Sequence, residues 1–325
     1  MLTANDLLTL PYTPDLTEAG IAYACRSLAY TYDRMGGSPH ERLRRIVGGV
    51  AVELALRRAL AEHGVPFDVL GATPFTDPDH YDVALGGHRC DLKSFLITHR
   101  EQISQIRRDP SLLLQAEALV PADQFAAGGR SDRDLYLFAF LLAVTAVSLS
   151  DLGRAEKAGR PVYLIQPLSS ELARPGVWAP MDGLALKSEC AALLTVELGG
   201  QDAGRDFITV RLELPPRRRV EVGTPFHSLA YLHAGRRPEA RVGLHAPGRS
   251  EVVLIQPHEW GNVWIDGLSI LLAGYITREE FRRRARFLPA GSKTFQYAST
   301  RTKNLDLRVD ELHPLGELFE RLRTQ

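Results

Sequence analysis

Lysine is scarce in this chain, with five residues against thirty-four arginines in 325 positions. Cysteine and methionine are equally sparse, at three each. Cys25, Cys90 and Cys190 lie far apart and form no CxxC or Cys/His constellation, which argues against a disulfide framework, zinc and iron–sulfur clusters. Net charge is zero, so a protein that coats nucleic acid through a global basic surface is disfavoured, although arginines can still act locally. No apolar run reaches membrane-spanning length, and the segment from Met1 to Asp6 lacks the basic start and apolar centre of a signal peptide. The expectation is a cytoplasmic protein with no membrane partner. A Gly-rich phosphate loop, a Ser/His/Asp arrangement and a dinucleotide fingerprint are also missing. With 45% hydrophobic and 24% charged residues, the composition is that of a globular protein of two domains, or of one domain with a large insertion.

Against that background the stretch from Tyr81 to Ser94 stands out. It reads as a β-hairpin in which Gly86-Gly87 supplies a tight turn and folds Asp82 back toward Asp91. Alternate residues of a strand share a face, so Asp91 and Lys93 project together while Cys90, Leu92 and Ser94 point the other way. An acidic-x-Lys triplet is expected by composition about 0.6 times in such a chain. It occurs once, here. In a sequence that otherwise uses arginine, a strand lysine beside an aspartate points to a need for a compact ammonium. An ion pair on the solvated face of an edge strand would use the same residues.

The flanking segments frame the hairpin. Residues 40–63 carry Leu43, Ile46, Val47, Val50, Leu54 and Leu60 at helical spacing, and Gly64 stops the run. Glu53 lies on the flank of that stripe, placed either to reach inward or to pair with Arg57 one turn on. Phe67 to Leu70 reads as a short strand. Residues Thr98 to Leu119 have helical character broken near Asp109-Pro110. The run from Leu135 to Val144 is apolar enough for a strand buried on both faces. The expected fold is α/β, a mixed sheet flanked by helices.

Residues 40 to about 145 resemble the core of the PD-(D/E)XK nuclease superfamily, the restriction-endonuclease-like fold. The resemblance implies that Asp82 and Asp91 ligate Mg²⁺ or Mn²⁺, that Glu53 adds a helix carboxylate to the metal site, and that Lys93 handles the attacking water. It further implies a divalent-metal-dependent phosphodiesterase acting on DNA, an endonuclease of bacterial defence or restriction type. The alternative is a non-catalytic nucleic-acid-binding or assembly protein on the same fold. Tyr81, not proline, precedes Asp82. A literal Pro-Asp occurs at Pro78-Asp79, so Asp79 is a rival first ligand, although its surroundings have loop composition.

Further along, Leu193–Leu198, Phe207–Leu214, Val252–Ile255 and Asn262–Ile265 are short apolar runs separated by Gly and Pro, the pattern of an antiparallel β-module. Leu268 to Phe281 reads as a strand leading into a helix capped by Thr277, with Glu280 at the capping-box position. The expected organisation is a nuclease core with N-terminal helices over 1–169, an inserted β-rich module over 170–262, and completion of the core over 263–325. Arg100, Arg107, Lys293, Arg301 and Lys303 are the candidates for contacting nucleic-acid phosphates. A partner protein or a homodimer is a further expectation for a double-strand cutter.

Overall fold

In the computed structural model the described residues are 2–31, 39–71, 81–127, 129–146, 148–160, 162–246, 252–262, 264 and 266–324. Asp79, the rival first ligand, lies outside them. The chain divides into two compact units, one of residues 1–20, 45–144 and 267–325, the other of residues 21–44 and 145–266. Among the described residues no helix is long and apolar enough to cross a membrane.

The chain opens with β1 (Leu8–Leu10), α1 (Pro14–Thr31) and α2 (Pro39–Glu62), of which residues 21–31 and 39–44 belong to the second unit and the rest to the first. The strands β2 (Phe67–Asp68), β3 (Val83–Leu85) and β4 (His88–Ile97) follow, then α3 (Arg100–Arg108), β5 (Glu117–Pro121), α4 (Ala122–Ala126) and β6 (Leu135–Val144). The second unit supplies α5 (Leu149–Lys157), β7 (Leu164–Pro167), α6 (Ser170–Ala173), β8 (Ala185–Ser188), β9 (Leu194–Gln201) and β10 (Phe207–Leu214). It continues through β11 (Arg219–Glu221), β12 (Ser228–Ala234), β13 (Val242–His245), β14 (Val253–Ile255) and β15 (Gly261–Asn262). The chain then returns to the first unit with β16 (Asp266–Thr277), α7 (Arg278–Arg284), β17 (Arg286–Leu288), β18 (Asn304–Arg308) and α8 (Leu315–Arg323).

The main sheet of the first unit has the order β1-β16-β6-β4-β3-β2. It is mixed: β3 runs antiparallel to β4, and β4 runs parallel to β6. All ten residues of β6 are buried, as a central strand covered on both faces requires. Full burial of each of its Leu and Phe side chains stabilises by about 1.5–3 kcal/mol, so this strand anchors whatever its neighbours carry. The parallel register pairs Asp91 with Tyr136, Lys93 with Phe138 and Phe95 with Phe140, which places those six side chains on one face. Cys90, Leu92 and Ser94 share the other face with Leu135, Leu137 and Ala139. Helix α2 covers that second face: a Cβ added at Gly48 would stand 3.2 Å from Leu141, and one at Gly49 would stand 3.8 Å from the Ser94 hydroxyl. Val52, Leu56 and Ala59 are buried on the same side of the helix as Gly48 and Gly49, while Val47 on the other side packs against Gly20.

The segment read as helical up to Leu119 is divided differently. Helix α3 stops at Arg108, a 3-10 turn fills Pro110–Gln115, and Glu117–Pro121 is a strand. Proline removes the donor that would continue α3, and Asp109 caps the new turn by accepting from the Ser111 amide at 3.1 Å. Strand β5 joins β18 and β17 in a small antiparallel sheet. Thr277 caps α7 by accepting from the Glu280 amide at 3.2 Å, as the Thr-x-x-Glu pattern led one to expect.

The second unit contains two sheets, ordered β10-β9-β12-β7-β15 and β11-β8-β13-β14, whose ladders are all antiparallel. Strand β7 belongs here, paired with β12 and β15, although the sequence assigned residues up to 169 to the core. Strand β16 lies in the main sheet of the first unit, between β1 and β6.

Candidate active site

The hairpin turns at Gly86 and Gly87, whose φ angles of 55° and 77° lie in the left-handed region that glycine enters without steric cost. Two consecutive residues of that kind make the tight turn whose twist matches the paired strands. Register then follows: Val83 opposes Cys90, Ala84 opposes Arg89 and Leu85 opposes His88. The ladder ends there, and the Asp82 amide donates to the Cys90 carbonyl at 3.1 Å, which holds Asp82 beside the same stretch of β4.

Among the described residues the β3–β4 ladder ends at Val83 and Cys90, which marks a fork. The Leu92 amide donates to Oδ2 of Asp82 at 2.6 Å. The Asp82 carboxylate therefore stands at the fork, bound to the backbone of the strand that carries Asp91. From the helix side Arg57 donates to the Asp82 carbonyl at 3.1 Å. Glu53 pairs with that same Arg57 at 3.6 Å.

Asp91 is the most buried carboxylate of the group, with 12% of its side chain exposed, and Lys93 is nearly as enclosed at 14%. Lys93 Nζ lies 2.6 Å from Oδ1 of Asp91 and donates to Oε1 of Gln124 at 2.8 Å. The other Asp91 oxygen accepts from Arg130. Burial opposes ionisation of Asp91, but the charges of Lys93 and Arg130 outweigh it and hold the carboxyl below its ordinary value. Burial likewise works against the Arg130 charge, while Asp91 raises its pKa. Cys90, on the opposite face, is a buried thiol pushed up to about 12 by burial and is inert as a nucleophile.

Phe95, Phe138 and Phe140 line the same face, with ring centroids 5.3 Å apart for Phe95–Phe140 and 6.3 Å for Phe95–Phe138. Phe281 of α7 sits 5.4 Å from Tyr136 and 6.1 Å from Phe138. This apolar wall reduces local solvent and strengthens the charge interactions of Lys93.

The structure thus brings together Asp82, Asp91 and Lys93. Glu53 is held by Arg57 on the helix that covers the other face. Among the described residues no three His, Cys, Asp or Glu side chains form a group able to hold a metal ion. Asp82 and Asp91, both close enough to act on the Arg130 charge, are of the donor type that suits Mg²⁺, which prefers hard oxygen donors and is commonly held by one or two carboxylates with waters and substrate phosphates. Asp82 and Asp91 are the residues that would hold it.

Three contributors lie outside the sequence expectation: Arg130, Gln124 and Tyr136. The parallel register carries the signal for Arg130, because Cys90 pairs with Leu135, so the loop entering β6 must lie beside the entrance of β4. Arg100 and Arg107 are exposed on α3, and Arg107 donates to the Ser269 hydroxyl at 3.2 Å. Lys293, Arg301 and Lys303 are exposed on a loop that also buries several polar residues. Thr294, Gln296 and Thr300 are buried there, the Phe295 amide donates to Glu117 at 2.8 Å, and burial pushes the Tyr297 hydroxyl up to about 12.

No protein-family model matches the chain, and comparisons with curated proteins and with solved structures give no match.

Proposed function

We propose that this protein is a divalent-metal-dependent phosphodiesterase that hydrolyses DNA on a restriction-endonuclease-like core. The carrying observation is the Lys93 ammonium, held 2.6 Å from Asp91 on a strand whose opposed neighbour presents Asp82 at the fork. The element order α2-β2-β3-β4-α3-β6, with β3–β4 antiparallel and β4–β6 parallel, supports the same fold reading. A surface ion pair is a weaker account, because Lys93 and Asp91 lie on an interior strand and are mostly enclosed.

Bound by Asp82 and Asp91, Mg²⁺ or Mn²⁺ would activate a water and neutralise charge on the scissile phosphate. Lys93 has three N–H donors. Two are directed to Asp91 and Gln124, which leaves the third for the attacking water or a phosphoryl oxygen. Its fixed position means that charge developing in the transition state meets a donor that does not need to reorganise. Glu53 orients Arg57, and Arg57 steadies the backbone of Asp82, so the helix carboxylate acts on the fork through a cation.

A second reading is favoured by Arg130. Lys93, Asp91 and Arg130 form an enclosed ion triad, which is also how a structural network on a non-catalytic nucleic-acid-binding protein would look. Calorimetric titration with Mn²⁺ separates the two. The enzyme binds Mn²⁺ at a site abolished by Asp82→Asn, whereas a purely structural triad gives no heat in either protein.

A further inference from the structure

In the second unit, the sheet β11-β8-β13-β14 buries one face through Leu186, Ser188, Val242, Leu244 and Ile255. The alternate positions form its other face. Register sets a row across that face: Arg219 opposes Lys187, Lys187 opposes Gly243, and Gly243 opposes Leu254. With neighbouring strands about 4.8 Å apart, the row spans about 14 Å. Cations crowd one half of it. Glu189, next along β8 on the same face, accepts from Arg241 at 2.7 and 3.0 Å. Arg241 holds the Glu189 carboxyl below its ordinary value and Lys187 and Arg217 add to the effect, so those two charges stand close by. Arg217 enters from the turn after β10, where its amide donates to the Ser188 carbonyl at 2.9 Å. Lys187, Arg217, Arg219 and Arg241 are all exposed. They meet two carboxylates, Glu189 and Glu221, of which Glu189 is taken by Arg241.

Two residues set this face apart from an ordinary solvated one. Arg217 has a φ of 58°, a left-handed conformation in which a side chain is crowded by the following carbonyl and which glycine adopts freely. The turn nevertheless presents an arginine there. Lys187 is one of only five lysines in the chain, a compact ammonium on a strand. The other half of the face is apolar: Val252 and Leu254 are each 48% exposed and lie beside Gly243, where an added Cβ would stand 3.3 Å from Val252 and 3.5 Å from Leu254. Cations on one side and apolar contact on the other match a nucleic-acid strand, which carries phosphates along its backbone and offers sugars and bases beside them.

We propose that this sheet face binds a nucleic-acid strand, with Lys187, Arg217 and Arg219 on its phosphates and Val252 and Leu254 against its sugars and bases. That the strand is DNA rests on the reading above, whereas the attraction for a phosphodiester backbone rests on the face itself. The β-rich unit then holds nucleic acid with residues that take no part in the chemistry proposed at Asp91 and Lys93.

The test is fluorescence anisotropy of a single-stranded DNA oligonucleotide titrated with the full chain, without divalent metal, over a series of salt concentrations. The variant combines Lys187→Gln, Arg217→Gly and Arg219→Gln. All three positions are exposed and glycine suits the left-handed turn, so the parental melting temperature should be retained. A control combines Lys157→Gln, Arg174→Gln and Arg323→Gln, which removes the same charge from exposed positions outside this sheet. Binding at least about tenfold weaker in the face variant, with the slope of log affinity against log salt reduced by about 2, is the expected result, and the control should bind as the parental chain does. No binding by the parental chain, parental affinity and slope in the face variant, an equal loss in the control, or equally tight binding of poly-glutamate overturns the proposal. Plasmid cleavage with Mg²⁺ on the same proteins separates it from the nuclease reading. Cleavage by the parental chain with unaltered binding in the face variant removes the face and leaves that reading, whereas binding lost in the face variant with no cleavage by any of the proteins keeps the face and removes the reading.

Discussion

Arg130 donates to one oxygen of Asp91 while Lys93 lies 2.6 Å from the other. One carboxylate therefore balances two cations in a site where little solvent enters. Removing it leaves both charges uncompensated, which for buried pairs typically costs about 3–5 kcal/mol. Asp91→Ala is thus expected to lower stability substantially in urea unfolding as well as to abolish activity. It is a poor control for catalysis on its own.

The pH dependence follows from the same contacts. Burial raises the Asp91 pKa and the two cations more than reverse it, leaving the folded value below the ordinary 3.8. A depressed carboxyl contributes stability that is present above the unfolded value and lost as pH falls through the folded one. The stability gap between the parental protein and Asp91→Asn should therefore be widest near neutrality and shrink on acidification below that ordinary value. A gap unchanged down to the acid limit of folding would contradict the ion-pair description.

Asp82 has a backbone duty that Asp91 lacks. Its carboxylate accepts from the Leu92 amide at 2.6 Å, so Asp82→Ala should expose that amide to rapid hydrogen exchange and cost about 1–3 kcal/mol. Asp82→Asn retains an acceptor oxygen and is expected to protect the amide while losing metal affinity. Equal exchange at Leu92 in all three proteins would show that the fork is not closed by this side chain.

The turn can be probed without touching the site. Gly87 has a φ of 77° and open space around its Cα, so Gly87→Ala introduces backbone strain alone. The expected loss is about 1–2 kcal/mol, read by thermal unfolding. A neutral result would mean that the hairpin relaxes to another turn.

Much of this arrangement was legible because short-range rules dominate it. Gly86-Gly87 and the two-residue period of the flanking strands define the hairpin, ten consecutive apolar residues define β6, and Thr277 with Glu280 marks the start of α7. Long-range partners were less readable. Strand β7 is four residues long and finds its partner at Tyr231–Ala234, so nothing near it announces the unit it joins. Helical spacing put Glu53 beside an apolar stripe but did not say which sheet face the stripe would cover. Arg130 comes from a loop, and only the parallel register of β4 with β6 brings it to Asp91.

Lys93 tests the central claim most directly. Lys93→Arg keeps the charge but replaces a compact ammonium by a planar fork, and Lys93→Met keeps the stem without the charge while Arg130 still balances Asp91. The decisive measurement is cleavage of plasmid, linear and single-stranded DNA by the full chain with Mg²⁺ or Mn²⁺, alongside both variants shown to be folded. Metal-dependent cleavage by the parental protein, reduced at least about a hundredfold in Lys93→Met and little restored in Lys93→Arg, is the predicted result. Parental cleavage rates in folded Lys93→Met would contradict it.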